Sequence, residues 1–84
     1  MGIRDSVANV FGLGSVWRTI ETMPEPTQDQ FFLILEELMF AGTAAFNQAK
    51  PIFSQLEADL MSHPENATPL VANALHALVQ ILNR

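Results

Sequence analysis

The sequence predicts a small all-α protein, a bundle of three to four helices with an amphipathic N-terminal arm. Three observations predict it. Apolar residues recur at steps of three and four along most of the chain. Prolines and glycines divide the chain into helix-length segments. Helix-start patterns, Thr27 with Gln30 and Thr68 with Pro69, stand in front of two of those segments. With 84 residues the chain makes one domain at most. Its expected parts are an N-terminal amphipathic arm over residues 1–23, a proline linker over 24–26 and the helical bundle over 27–84.

In the arm, Ile3, Val7, Val10, Phe11, Val16, Trp17 and Ile20 follow the spacing of one helix face. Gly12 and Gly14 bracket Leu13, and each costs a helix interior about 1 kcal/mol relative to alanine. A kink or short break is expected there, with Ser15 capping a second short piece. Met23-Pro24-Glu25-Pro26 then stops the helix, because each proline removes an amide donor and restricts the residue before it.

A long helix is expected to start at Thr27, whose side chain and that of Gln30 have the spacing of a capping box. Asp29 in the first turn complements the positive end of the helix dipole. From Phe31 to Ala49 the helix is apolar on most sides and carries only Glu36 and Glu37 as charges, the pattern of a helix buried on more than one face. Ala41, Ala45 and Ala49 fall four apart and form a small-residue side on which another helix can lie closely. Lys50-Pro51 is expected to kink or restart the helix, since proline fits a first helical position and not an interior one.

The next stripe is Ile52, Phe53, Leu56 and Leu60, ending near Met61. Residues 62–69 read as a turn-rich connection, after which Thr68 as N-cap and Pro69 open a last helix. That helix carries Leu70, Val71, Ala74, Leu75, Leu78, Val79, Ile81 and Leu82 on one wide apolar side. Asn73, His76, Gln80 and Asn83 lie on the other. No formally charged residue stands between Glu65 and Arg84, whereas a solvated helix face normally holds several. Residues 27–61 are expected to form the spine and the last helix to fold back on it.

Composition narrows the function. Hydrophobic residues make up 49% of the chain and charged residues 15%, against roughly 25% charged in an ordinary soluble domain. A chain this short with so much apolar surface is expected to bury the excess against other chains. The net charge of −5 excludes nucleic acid as the natural partner, because phosphates are neutralised by Lys and Arg. Arg4, Arg18, Lys50 and Arg84 are also scattered rather than clustered. Without cysteine there is no disulfide framework, thiolate zinc site or cysteine nucleophile. The N-terminus lacks the basic start and unbroken apolar stretch of a secretory signal, so a cytoplasmic origin is expected, and the match of Asn66-Ala67-Thr68 to a glycosylation pattern carries no weight.

No residue set reads as catalytic, cofactor-binding or metal-ligating. His63 and His76 lack partners at metal-ligand spacing. Glu36 and Glu37 are adjacent, so they point about 100° apart on a helix and do not converge on one substrate. Gly12-Leu13-Gly14 lacks the third glycine and the lysine of a phosphate loop. The expectation is therefore a non-catalytic, cofactor-free assembly or structural subunit, working in a homo-oligomer or a larger complex such as a virus or phage particle. Its expected contact residues are Phe11, Trp17, Phe31, Phe32, Val71, Leu75, Leu78 and Leu82, since aromatic and large apolar anchors dominate protein interfaces. The alternatives are a small acidic inhibitor or regulator of one partner protein and, more weakly, a peripheral membrane protein that dips Phe11 and Trp17 into lipid.

Overall fold

The fold is set by where the chain can and cannot stay helical, and the computed structural model describes it for Ser6 and residues 9–83. Asn9 and Val10 are helical, and the chain then turns at Phe11 and Gly12, where the Gly12 amide donates to the Asn9 carbonyl at 3.0 Å. Gly12 takes φ +71°, a left-handed conformation that glycine adopts at no steric cost. The expected break in the arm is therefore present. Helix α1 runs Gly14–Glu21, with Leu13 rather than Ser15 at its N-cap, and its first bond is donated by the Trp17 amide to the Leu13 carbonyl at 2.7 Å. Ser15 lies inside the first turn and makes no cap.

Helix α2 spans Glu25–Ala41, so it begins before Thr27. Pro24 is its N-cap and Pro26 sits at the second helical position, where an amide has no intrahelical partner to lose. The amides of Thr27 and Gln28 both donate to the Pro24 carbonyl, at 3.0 and 3.2 Å. No side chain caps the helix. Instead Gln28 Nε2 reaches back to the carbonyls of Met23 at 2.8 Å and Glu21 at 3.2 Å. That side chain ties the start of α2 to the end of α1.

The largest departure from expectation comes at the end of α2. The chain breaks at Gly42, with φ +102° and ψ 176°, a region that residues with a Cβ essentially avoid. Helix α3 then runs unbroken through Thr43–Ser62 with Pro51 inside it. The expected order of break and continuation is thus reversed: Pro51 forfeits one interior hydrogen bond, and Gly42 alone supplies the backbone geometry that turns the chain back. The supposed stripe of Ala41, Ala45 and Ala49 is divided between two helices. Of these, Ala41 is exposed and Ala49 is fully buried.

The connection after α3 is shorter than the turn-rich stretch suggested. It consists of His63 and one turn of 3-10 helix, Pro64–Asn66, and helix α4 follows directly as Ala67–Leu82. Asn66 occupies its N-cap and makes no side-chain bond there; Thr68 and Pro69 fall in the first turn. Helix α4 packs back along α3, and both contact α2. Helix α1 lies on α2 and α3 and so belongs to the bundle.

The buried faces follow the spacing in α1 to α4, whereas Val10, assigned by its spacing to the apolar face of the arm, is 59% exposed. The core holds Leu13, Val16, Trp17 and Ile20 from the α1 region, and Phe31, Ile34, Leu35 and Leu38 from α2. It is completed by Ala49, Phe53, Leu56 and Leu60 from α3 and Val71, Ala74, Leu75 and Leu78 from α4. No polar or charged residue is buried with them among the described residues. Through the middle runs a row of rings: Phe46 stacks on Phe11 at 4.8 Å, Phe11 meets Phe53 at 5.5 Å, Phe53 meets Phe31 at 6.3 Å, and Phe31 meets Trp17 at 6.4 Å. These centroid separations fall in the range where aromatic pairs add roughly 0.5–1.5 kcal/mol beyond area burial.

Candidate protein-contact surface

The eight residues expected to meet other chains divide sharply. Trp17, Phe31, Val71, Leu75 and Leu78 are all buried in this chain's own core. In this arrangement they hold the bundle together and are not presented to a partner. Phe11, Phe32 and Leu82 are half-buried and pack against that core. Phe11 in particular is seated between Phe46 and Phe53. Side chains dominated by apolar surface fill the interior first, because burial removes roughly 25 cal/mol per Å² from contact with water.

What remains outside is a different set. Phe40 is 89% exposed, Leu33 57% and Met39 46%, and all three stand on α2. Leu33 and Phe40 are seven residues apart and therefore lie on one side of the helix. Glu36 and Glu37 lie between them at steps of three and four. The four side chains occupy an arc of about 100° at 3.6 residues per turn, directly away from Phe31, Ile34, Leu35 and Leu38. Glu36 is half-buried and Glu37 exposed. Helix α2 carries Glu25, Asp29, Glu36 and Glu37 and neither Lys nor Arg, and its last turn has no basic residue. The outer side of α2 is thus both apolar and negative.

This surface was missed in the sequence because the run from Phe31 to Ala49 is apolar almost all round. A signal for it existed: the two glutamates mark the wet side of the helix, and Leu33 and Phe40 lie three or four residues from each. Beyond Phe40, a groove of about 220 Å³ at the Gly42 break is lined by Leu38, Met39, Gly42, Thr43 and Phe46. On the opposite shoulder of Phe46, the Lys50 ammonium stands 5.1 Å from the ring centroid, a cation–π arrangement.

Away from α2, Met61 near the end of α3 is 77% exposed and Val10 59%. Asn73, His76, Gln80 and Asn83 are exposed along α4, as their spacing suggested, with Gln80 Nε2 and His76 Nε2 3.2 Å apart. A groove of about 320 Å³ between α3 and α4 has Leu56, Leu70 and Ala74 at its base and Gln55, Asp59 and Asn73 on its rim. Gln55 Nε2 donates to Asp59 Oδ1 at 2.8 Å, which occupies that carboxylate. Neither Glu36, Glu37 nor His76 lines this groove. His63 Nδ1 and Glu65 Oε1 lie 3.6 Å apart on exposed side chains, a solvated pair on the connection. Among the described residues no group of three His, Asp or Glu side chains is placed to hold a metal ion, and no helix is long and apolar enough to cross a membrane.

No protein-family model matches the chain, and neither a curated protein nor a solved structure does.

Proposed function

We propose that this chain is a non-catalytic assembly component that acts by presenting a helix face to another protein chain. The observation that carries the reading is Phe40, at 89% the most exposed large apolar side chain among the described residues. A lone exposed apolar residue is ordinary, but Phe40 is joined on the same helix by Leu33 and Met39. Contiguous apolar groups rimmed by polar ones are the usual form of a protein contact, and a buried aromatic anchor is its usual energetic centre. The neutral face of α4 offers a second, weaker contact area.

The test is a photoreactive phenylalanine analogue placed at position 40 in the cells that make the protein, with Ala58, an exposed residue of α3, as the control position. A discrete adduct from position 40 and none of the same mass from position 58 is the expected result. An adduct at multiples of 9.3 kDa identifies a second copy; any other discrete mass identifies a different chain. Indistinguishable, diffuse labelling from both positions would remove the reading.

A further inference from the structure

We infer that the outer face of α2 docks a basic amphipathic helix of a different protein, one that sets leucine-like side chains on Leu33 and Phe40 and Lys or Arg side chains on Glu36 and Glu37. The inference rests on the assembly reading above and names the chemistry of its partner. Three features of the face select that occupant.

The first is charge. Glu36 and Glu37 stand on this face, and α2 itself carries neither Lys nor Arg. Glu36 is flanked at four-residue steps by Phe32 and Phe40, and Glu37 by Leu33, so each carboxylate stands beside an apolar neighbour. A long basic side chain suits this pattern: its methylene stem covers the apolar group while its charged head reaches the carboxylate. A guanidinium can in addition lie over the exposed Phe40 ring.

The second is the helix end. Phe40 lies in the last turn of α2, which ends at Ala41 and itself contains no basic residue. The carbonyl end of a helix carries a partial negative charge, and it adds to the field of the glutamates just where the largest apolar group protrudes. A cationic partner is favoured at both.

The third feature argues against a second copy. A two-fold pairing of α2 with itself would set Glu36 and Glu37 of one chain against the same residues of the other, with no base on either helix to separate them. Like charges across a contact are unfavourable and act as a barrier to the wrong partner. An anionic lipid surface is disfavoured for the same reason.

The experiment measures binding of a fluorescein-labelled helical peptide of leucine and lysine to the intact protein by anisotropy, beside a peptide with the same leucines and glutamate in place of lysine. Four proteins are compared: wild type, Phe40→Ala, the double variant Glu36→Gln with Glu37→Gln, and a charge-matched control, Glu21→Gln with Glu65→Gln, whose exposed side chains belong to other elements than α2. All the substituted side chains are exposed except that of Glu36, which is half-buried, and circular dichroism confirms that each variant folds. The lysine peptide is expected to bind wild type at least about tenfold tighter than the glutamate peptide, and to lose about tenfold or more in Phe40→Ala and in the Glu36/Glu37 variant. The control is expected to lose no more than about twofold, the size of a rim-charge effect.

Equal losses in the control would reduce the attraction to net charge and overturn the inference. So would undetectable binding of the lysine peptide, or equal binding of the two peptides. Cross-linking from position 40 separates the two levels of the argument: an adduct with a second copy, or with a different protein in a chain that ignores the lysine peptide, leaves the assembly reading standing and removes the basic helix.

Discussion

At the residue scale, the same aromatic chemistry supports opposite roles depending on which side of a helix it falls. Trp17 is 4% exposed and Phe40 89%, although both stand on amphipathic helices in a chain rich in apolar residues. The indole packs against Phe31 at 6.4 Å in the middle of the bundle, so it is unavailable for a lipid surface. Trp17→Ala is accordingly expected to cost about 3–5 kcal/mol of stability, the usual range for truncating a buried tryptophan, read from a urea titration. Lipid partitioning lost without a change in that stability would restore the membrane role of the arm. Glu36 and Glu37 show the complementary case. Their positions were plain in the sequence, and their value as markers of the wet side became apparent only once Leu33 and Phe40 were found beside them.

At the element scale, two backbone residues contest the course of the chain between Phe31 and Met61, and their conformations decide the outcome. Proline inside a helix removes one hydrogen bond and crowds the preceding turn, at a cost of about 3 kcal/mol. Glycine at positive φ costs nothing sterically and permits a reversal that no substituted residue takes readily. The chain therefore tolerates Pro51 within α3 and folds back at Gly42. The two sites should respond with opposite signs. Pro51→Ala restores an amide donor within α3 and is expected to raise the unfolding midpoint, with a gain of about 2 kcal/mol after part of the penalty is offset by the greater freedom of the unfolded chain. Gly42→Ala meets no steric obstacle in space, since nothing lies within 4 Å of an added Cβ, but its backbone conformation is expected to cost about 1–3 kcal/mol. The same urea titrations check both, and a loss in Pro51→Ala would show that the backbone restriction imposed by the proline is required by the packing of α3.

At the scale of the whole molecule, the radius of gyration of 11.8 Å is that of an ordinary folded chain of this length, about 12 Å. The apolar excess read from composition is largely absorbed within one chain by a core that spans all four helices. The bundle is therefore expected to fold without help from a second copy. Its thermal midpoint is expected to stay constant over a hundredfold range of protein concentration, whereas an obligate oligomer shifts with concentration by mass action. Calorimetry at the two extremes decides this, and a rising midpoint would place part of the core at an interface between copies.

How much of this was legible in the sequence depends on the length over which each property is decided. Helix faces are fixed by local periodicity, so the all-α class, the wide apolar side of α4 within which Val71, Ala74, Leu75 and Leu78 are buried, the neutral stripe Asn73, His76, Gln80 and Asn83, and the break near Gly12 could all be read from spacing. Helix ends were read less well, at Ser15, Thr27 and Thr68, because a potential cap is used only when the flanking backbone takes the matching conformation; here Pro24 and Gln28 secure the start of α2 instead. Which apolar residues stay exposed was the least legible. Periodicity says which side of a helix is apolar, but it does not say which of two apolar sides finds a neighbour. By itself the sequence determined the helices, their buried stripes and an acidic surface with no basic cluster. Only the tertiary structure decided that Trp17, Phe31, Val71, Leu75 and Leu78 are core and that Leu33, Met39 and Phe40 are surface, because burial is allotted by the packing of helices distant in the chain, and that packing hinges on the conformation of Gly42.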